Sequence, residues 1–105
     1  MTSALGKKLK ELRKSKGLTL EELAQHSGSS KSYMWELENK DVARPSAEKL
    51  SRIASVLGVT AEFLVDSSRT EVTVHDQDEA FFRKYTAADP AVKEKINKIL
   101  DLLDE

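Results

Sequence analysis

Apolar residues recur along this chain at the three- and four-residue spacings of helices that bury one face. Leu5, Leu9 and Leu12 mark a first helix from Ser3 to Lys16, closed by Gly17, with lysines filling its other faces. Thr19-Leu20-Glu21-Glu22 has the form of a capping box, in which the Thr19 hydroxyl and the Glu22 carboxylate satisfy amides left unpaired at a helix start. It predicts a short second helix to about His26. Ser27-Gly28-Ser29-Ser30 interrupts it, Gly28 being able to take the positive φ of a tight turn and Ser30 to cap a third helix, Lys31 to about Asn39. Pro45-Ser46 closes the polar loop that follows, and Leu50, Ile53, Ala54 and Leu57 then repeat at helical spacing up to Gly58. Thr60 caps a short fifth helix, Ala61 to about Val65, whose Phe63 and Leu64 close a core.

Residues 66–77 are polar, lack helical periodicity and read as a linker, although Val72 and Val74 alternate as they would in a short extended piece. From Asp78 to about Ala87 the chain again reads as helix, carrying Phe81, Phe82 and Tyr85. Asp89-Pro90 is a cap followed by proline in the first turn, and Val92, Ile96, Ile99, Leu100 and Leu103 then form one stripe of a last helix. The expected architecture is all-α: a five-helix unit over residues 1–65, a linker over 66–77 and a helical segment over 78–105.

Thr19 to Asn39, a short capped helix, a glycine turn and a second short helix, is a helix-turn-helix by spacing alone. Leu23, Ala24, Met34 and Leu37 are its core positions. If Met34 and Leu37 point inward, then Lys31, Ser32, Trp35, Glu36 and Asn39 share the outward face of the third helix, the face suited to a major groove.

The net charge of −1 is discouraging for a nucleic-acid binder until it is divided along the chain. Residues 1–65 carry 11 Lys+Arg against 8 Asp+Glu, and residues 66–105 carry 6 against 10, so the front is about +3 and the rear about −4. Six of the front's basic residues lie between Lys7 and Lys16. With no cysteine there is neither a disulfide framework nor a thiolate metal site, and His26 and His75 have no partners for zinc, so no metal or cofactor is expected. No nucleophile–base pair or phosphate-cradling glycine loop argues for an enzyme, and no catalytic residue is assigned. The absence of a long apolar run or leader pattern leads to the expectation of a cytoplasmic protein away from the membrane.

The stretches LTLEELAQHSGSSKSYMWELEN (residues 18–39) and RPSAEKLSRIASVLGVTAEFL (residues 44–64) resemble the large helix-turn-helix family of phage repressors, Cro proteins and bacterial regulators of the xenobiotic-response-element type. The resemblance covers about residues 4 to 65. It implies a repressor-like domain binding double-stranded DNA, with bases read by Lys31, Ser32 and Glu36 and by Ser30 at the helix start. Trp35 is open between packing on sugars or thymine methyls and lying against a neighbouring helix. Expected phosphate contacts are Thr19, Leu20, Tyr33, Asn39, Lys40, Arg44 and Ser46. Many relatives place glutamine where this chain has Leu20, which leaves backbone amides to make any contact there. Lys40 and Asp41 stand where glycine and a neutral or basic residue are common, and Asp41 is unfavourable near phosphate. Arg13 and Glu38 match positions that pair between the first and third helices.

Two readings remain for residues 78–105. Self-pairing through Phe81, Phe82, Tyr85, Val92, Ile96, Ile99, Leu100 and Leu103 would make a homodimeric repressor on a palindromic operator, its half-sites one turn, roughly 34 Å, apart. An antitoxin-like or sensor-like module would instead use the same surface to grip a different protein.

Overall fold

The structure is a computed structural model describing residues 3–104, so the outermost ends of the two expected domains, Met1, Thr2 and Glu105, lie outside the described residues. Among the described residues the fold is all-α, with seven helices and no strand: α1 (Ala4–Ser15), α2 (Leu20–Ser27), α3 (Lys31–Asn39), α4 (Ala47–Leu57), α5 (Ala61–Val65), α6 (Val74–Ala87) and α7 (Pro90–Leu103).

The helix starts follow from local chemistry. Ser3, Thr19, Ser30, Ser46, Thr60 and Thr73 each accept a hydrogen bond from the backbone amide three residues on, at 2.9–3.2 Å, and so satisfy one of the donors a helix start leaves free. Asp89 occupies the cap position of α7 but makes no side-chain capping bond, so the proline that follows it carries that start alone. The turn between α2 and α3 rests on Gly28, at φ +73°, which lets the Ser29 amide reach back to the Ala24 carbonyl at 2.8 Å.

Five helices close one core. Leu9, Leu23, Met34, Ile53, Leu57 and Phe63, one or two from each of α1–α5, are completely buried, with Ala24, Leu37, Leu50, Ala54, Val59 and Leu64 around them. The tightest approach is between α1 and the carboxy-terminal end of α3. A Cβ added to Gly6 would lie 2.3 Å from the Leu37 carbonyl oxygen and 3.0 Å from that of Glu38, so only hydrogen fits there.

Two expectations are corrected. The lysines of α1 do not all face solvent: Lys8 is buried, and its ammonium donates at 2.6 Å to the carbonyls of Phe63 and Asp66 while standing 4.4 Å from the centre of the Phe63 ring. Burial holds its pKa below the ordinary lysine range. The second correction is the start of α6, which lies at Val74 rather than Asp78, so Val74 and His75 are helical and the connection shrinks to residues 66–73. The cause is a second capping box: the Thr73 hydroxyl accepts from the Asp76 amide at 3.1 Å, and the Asp76 carboxylate accepts from the Thr73 amide at 2.8 Å. Val72, instead of pairing in a strand, packs against the core.

Beyond that point the chain changes character. Ala80 of α6 is buried against the five-helix body, whereas α7 buries no residue. The molecule is accordingly elongated, 51 × 28 × 24 Å.

The Gly6 contact supplies a test of the packing. In an open helix interior Gly→Ala is stabilising by about 0.5–1 kcal/mol. Here Gly6→Ala is expected to lose about 1–3 kcal/mol in urea unfolding, because carbonyl groups of α3 must move. A midpoint equal to or above that of the parent would refute the close approach.

Candidate nucleic-acid interface

The helix-turn-helix is α2 and α3, and α3 is divided sharply between its two sides. Met34, Leu37 and Glu38 are buried, while Lys31, Ser32, Trp35 and Glu36 are exposed, as is Ser30 at the cap. Trp35 keeps 47% of its surface, so it is not covered by a neighbouring helix. Its backbone carbonyl accepts from the Asn39 side-chain amide at 2.9 Å, and the Lys40 ammonium stands 5.6 Å from its ring centre. Asn39 is thereby oriented with its carbonyl oxygen still free of that bond.

What holds this face in place lies beneath it. Arg13 of α1 makes a two-pronged pair with Glu38, Nε to Oε2 at 2.7 Å and Nη2 to Oε1 at 3.0 Å, and its Nη1 donates to the Leu18 carbonyl at 2.9 Å. Glu38 is 1% exposed and Arg13 13%, so the pair is shielded from solvent and from salt. The planar fork of arginine matches both carboxylate oxygens at once, which fixes direction as well as distance.

The flanking positions are chemically prepared in different ways. The Thr19 and Ser46 oxygens accept capping bonds, yet each hydroxyl retains its proton for an outside acceptor. Leu20 turns its side chain toward the core, while its amide, in the first turn of α2, lacks an intrahelical partner. The loop before α4 is pinned by half-buried Val42 and buried Pro45, which leaves Asp41 and Arg44 exposed. Tyr33 is half-buried, with the Lys49 ammonium 4.2 Å from its ring centre. Lys49 was not among the expected contacts; its position in the first turn of α4, three residues after the Ser46 cap, was the available signal.

Lys31, Lys40 and Lys49 thus stand on or beside the exposed face, with Glu36 the acidic group on α3's outer side, and Arg44 is exposed in the loop before α4, in a crevice it shares with residues of α1 and α5. Among the described residues none of these five groups forms an ion pair with another residue. No cluster of metal-ligating side chains occurs among the described residues, and no helix there is long and apolar enough to cross a membrane.

Such a fold, five helices about one core with a capped pair separated by a glycine turn, defines the helix-turn-helix class. The chain belongs to the helix-turn-helix domain family, which matches residues 4–64. Among curated proteins it is similar to the HTH-type transcriptional regulator SinR of Bacillus subtilis (strain 168), 37% identical over 62 residues. That match spans 59% of this chain and 56% of the relative, so just over half of the relative's length is represented. Among solved structures it resembles the master regulator for biofilm formation SinR in complex with DNA, at TM-score 0.56 and 37% identity, over 59% of this chain and 98% of that one. It also resembles a chain of the SinR protein/SinI protein complex, at TM-score 0.59 and 25% identity, over 95% of this chain and 94% of that one. These relatives are regulators, not enzymes.

The buried pair predicts a stability pattern. Glu38→Ala leaves the half-buried Arg13 guanidinium without its carboxylate partner and is expected to cost about 3 kcal/mol in denaturant unfolding. Replacing both, as Arg13→Met with Glu38→Leu, is expected to recover most of that loss, since two apolar groups leave no uncompensated charge. Equal losses for the single and double variants would show that shape rather than charge pairing matters at this position.

Proposed function

We propose that this chain is a sequence-specific DNA-binding regulator that represses transcription as a homodimer on a palindromic operator. The observation that carries the reading is the outer face of α3: exposed, cation-flanked and rigidly backed by the Arg13–Glu38 pair. Ser30, Lys31, Ser32, Trp35 and Glu36 enter the major groove, where Lys31 donates to guanine and Glu36 accepts from a cytosine amino group. Thr19, Leu20 through its amide, Tyr33, Asn39, Lys40, Arg44 and Ser46 hold the phosphates on either side. A SinR chain solved with DNA supports this reading.

Homodimerisation is supported by the rear helices. Phe81, Phe82, Val92, Ile99, Leu100 and Leu103 are exposed, and Tyr85 and Ile96 are half-buried. Leu102, at 70% exposure, adds to the same helix although the stripe at helical spacing did not include it. A lone chain keeps this apolar surface in water, and a second copy covers it. The likeness to SinR from a complex with SinI, extending over nearly the whole chain, favours a second reading in which the segment also receives a different protein.

Base-reading and phosphate-holding residues are separable by experiment. Lys31→Ala and Glu36→Ala are expected to change the preferred bases and weaken the best site by about 1–3 kcal/mol each. Arg44→Ala is expected to weaken all sequences alike and to flatten the log–log salt slope of the dimer by roughly 1.8, two contacts at about 0.9 each. An unchanged slope would remove Arg44 from the DNA, and uniform weakening by Lys31→Ala and Glu36→Ala would reassign them to the backbone.

Oligomeric state has its own test. Because α7 buries nothing within the chain, Ile99→Lys with Leu103→Lys leaves the five-helix fold intact. The measured solution mass is expected to fall from two chains to one, and operator affinity with it. A wild-type mass of one chain would favour the second reading.

A further inference from the structure

The connection between the five-helix body and α6 is not a free tether. Within it the Asp66 side chain accepts from the Ser68 amide at 3.0 Å and the Ser68 hydroxyl at 2.6 Å, and the Asp66 carbonyl accepts from buried Lys8 and from the Arg69 amide. Arg69 then lays its guanidinium 5.2 Å from the centre of the buried Phe63 ring and donates to Asp76, the buried acid of the α6 capping box. One carboxylate therefore caps α6 and ties it to a residue stacked on the core. That guanidinium holds the Asp76 carboxyl well below the usual carboxylate range, so the tie stays charged at any physiological pH. Further along, Arg83 of α6 bonds Glu62 of α5 at 2.7 Å as well as Glu79 of its own helix at 2.9 Å.

These ties matter because the apolar contact beside them is thin. Ala80 is the one hydrophobic side chain of α6 buried among the described residues, and a crevice of about 480 Å³ lined by small residues such as Ala54, Ser55 and Ala87 remains between α6 and the body. So small a contact fixes a helix poorly by packing alone, and its direction falls to the polar groups around it. Phe81, Phe82 and Tyr85, on the side of α6 away from Ala80, are then carried at a set angle to α3.

We infer that the Arg69–Asp76 and Glu62–Arg83 pairs determine half-site spacing: by fixing α6 on the body, they set the distance between the two α3 helices of a dimer. The inference rests on the homodimeric, two-half-site reading above. Flexibly tethered domains would accept many separations, whereas clamped domains accept only one that matches their own geometry, every other separation requiring deformed DNA or a broken contact.

The test uses the full chain and a half-site selected by it from random duplexes, presented as two copies whose separation is stepped one base pair at a time. The wild-type protein is expected to bind one separation best and to lose about tenfold within one or two base pairs of it. Arg69→Ala with Arg83→Ala is expected to keep the dimer mass and the affinity for a single half-site, but to flatten the profile to within about threefold. A variant profile as sharp as the wild-type one overturns the spacing role and leaves the dimer reading standing. A monomeric wild-type chain overturns both, and a dimeric wild-type chain indifferent to separation overturns the spacing role alone. Should the double variant fail to fold, residual dipolar couplings of the wild-type chain decide: one alignment tensor for α4 and α6 together supports the clamp, and two different tensors overturn it.

Discussion

The Arg13 guanidinium sits where three parts of the molecule meet: α1, which carries it; the turn into α2, whose Leu18 carbonyl it binds; and α3, whose Glu38 it grips with two nitrogens. A charge this deeply covered is tolerable only if every strong donor finds an acceptor, and the arrangement supplies one for each nitrogen. Rotating α3 by even part of a turn would separate Glu38 from the fork and leave both charges stranded. The outer face of α3 therefore inherits its direction from an interaction on its inner face. Gly6 reinforces the same constraint from the other end of α1, since the carbonyls of Leu37 and Glu38 come too close for any side chain.

A rigid backing of this kind has consequences for recognition. Base contacts discriminate only when donors and acceptors are held before the partner arrives, because ordering long side chains on binding consumes part of the interaction energy. Here Asn39 is held by the Trp35 carbonyl, Lys40 lies by the indole, and Lys49 lies against Tyr33. The polar face is thus partly organised within the free chain. The front's excess of basic residues adds long-range attraction for phosphate, while the acidic excess of residues 66–105 comes from the segments outside α6 and α7, where Asp66, Glu71, Asp89, Asp104 and Glu105 are set against Arg69 alone.

The rear helices follow a different rule. In α1–α5 apolar side chains are consumed by a common core; in α6 and α7 they line surfaces with little beneath them. Tyr85 links the two helices loosely, stacking with Phe81 at 6.3 Å between ring centres and standing under the Lys93 ammonium at 5.5 Å. Such a segment leaves its apolar surface in water and adds little of it to the energy of folding.

The helix starts and most of the core were legible in the sequence because both depend on neighbours. A capping hydroxyl serves an amide three residues away, and an apolar stripe is defined within one helix, so Thr19, Ser30, Ser46 and Thr60 and the Leu23–Leu37 cluster could be read without coordinates. The start of α6 was equally local but was missed, since its box uses Asp76 where glutamate or glutamine is the familiar partner. The resemblance to repressors nominated the α3 residues for the candidate site, but which of their groups are already engaged depended on side-chain geometry. Other features belonged to the tertiary structure from the outset. Lys8 reaches a carbonyl 55 residues away, Lys49 meets Tyr33 across two helices, and Gly6 is indispensable only because α3 crosses there. Periodicity assigns a residue to a face of its own helix; what that face meets is decided by how distant segments pack, and no local pattern carries that information.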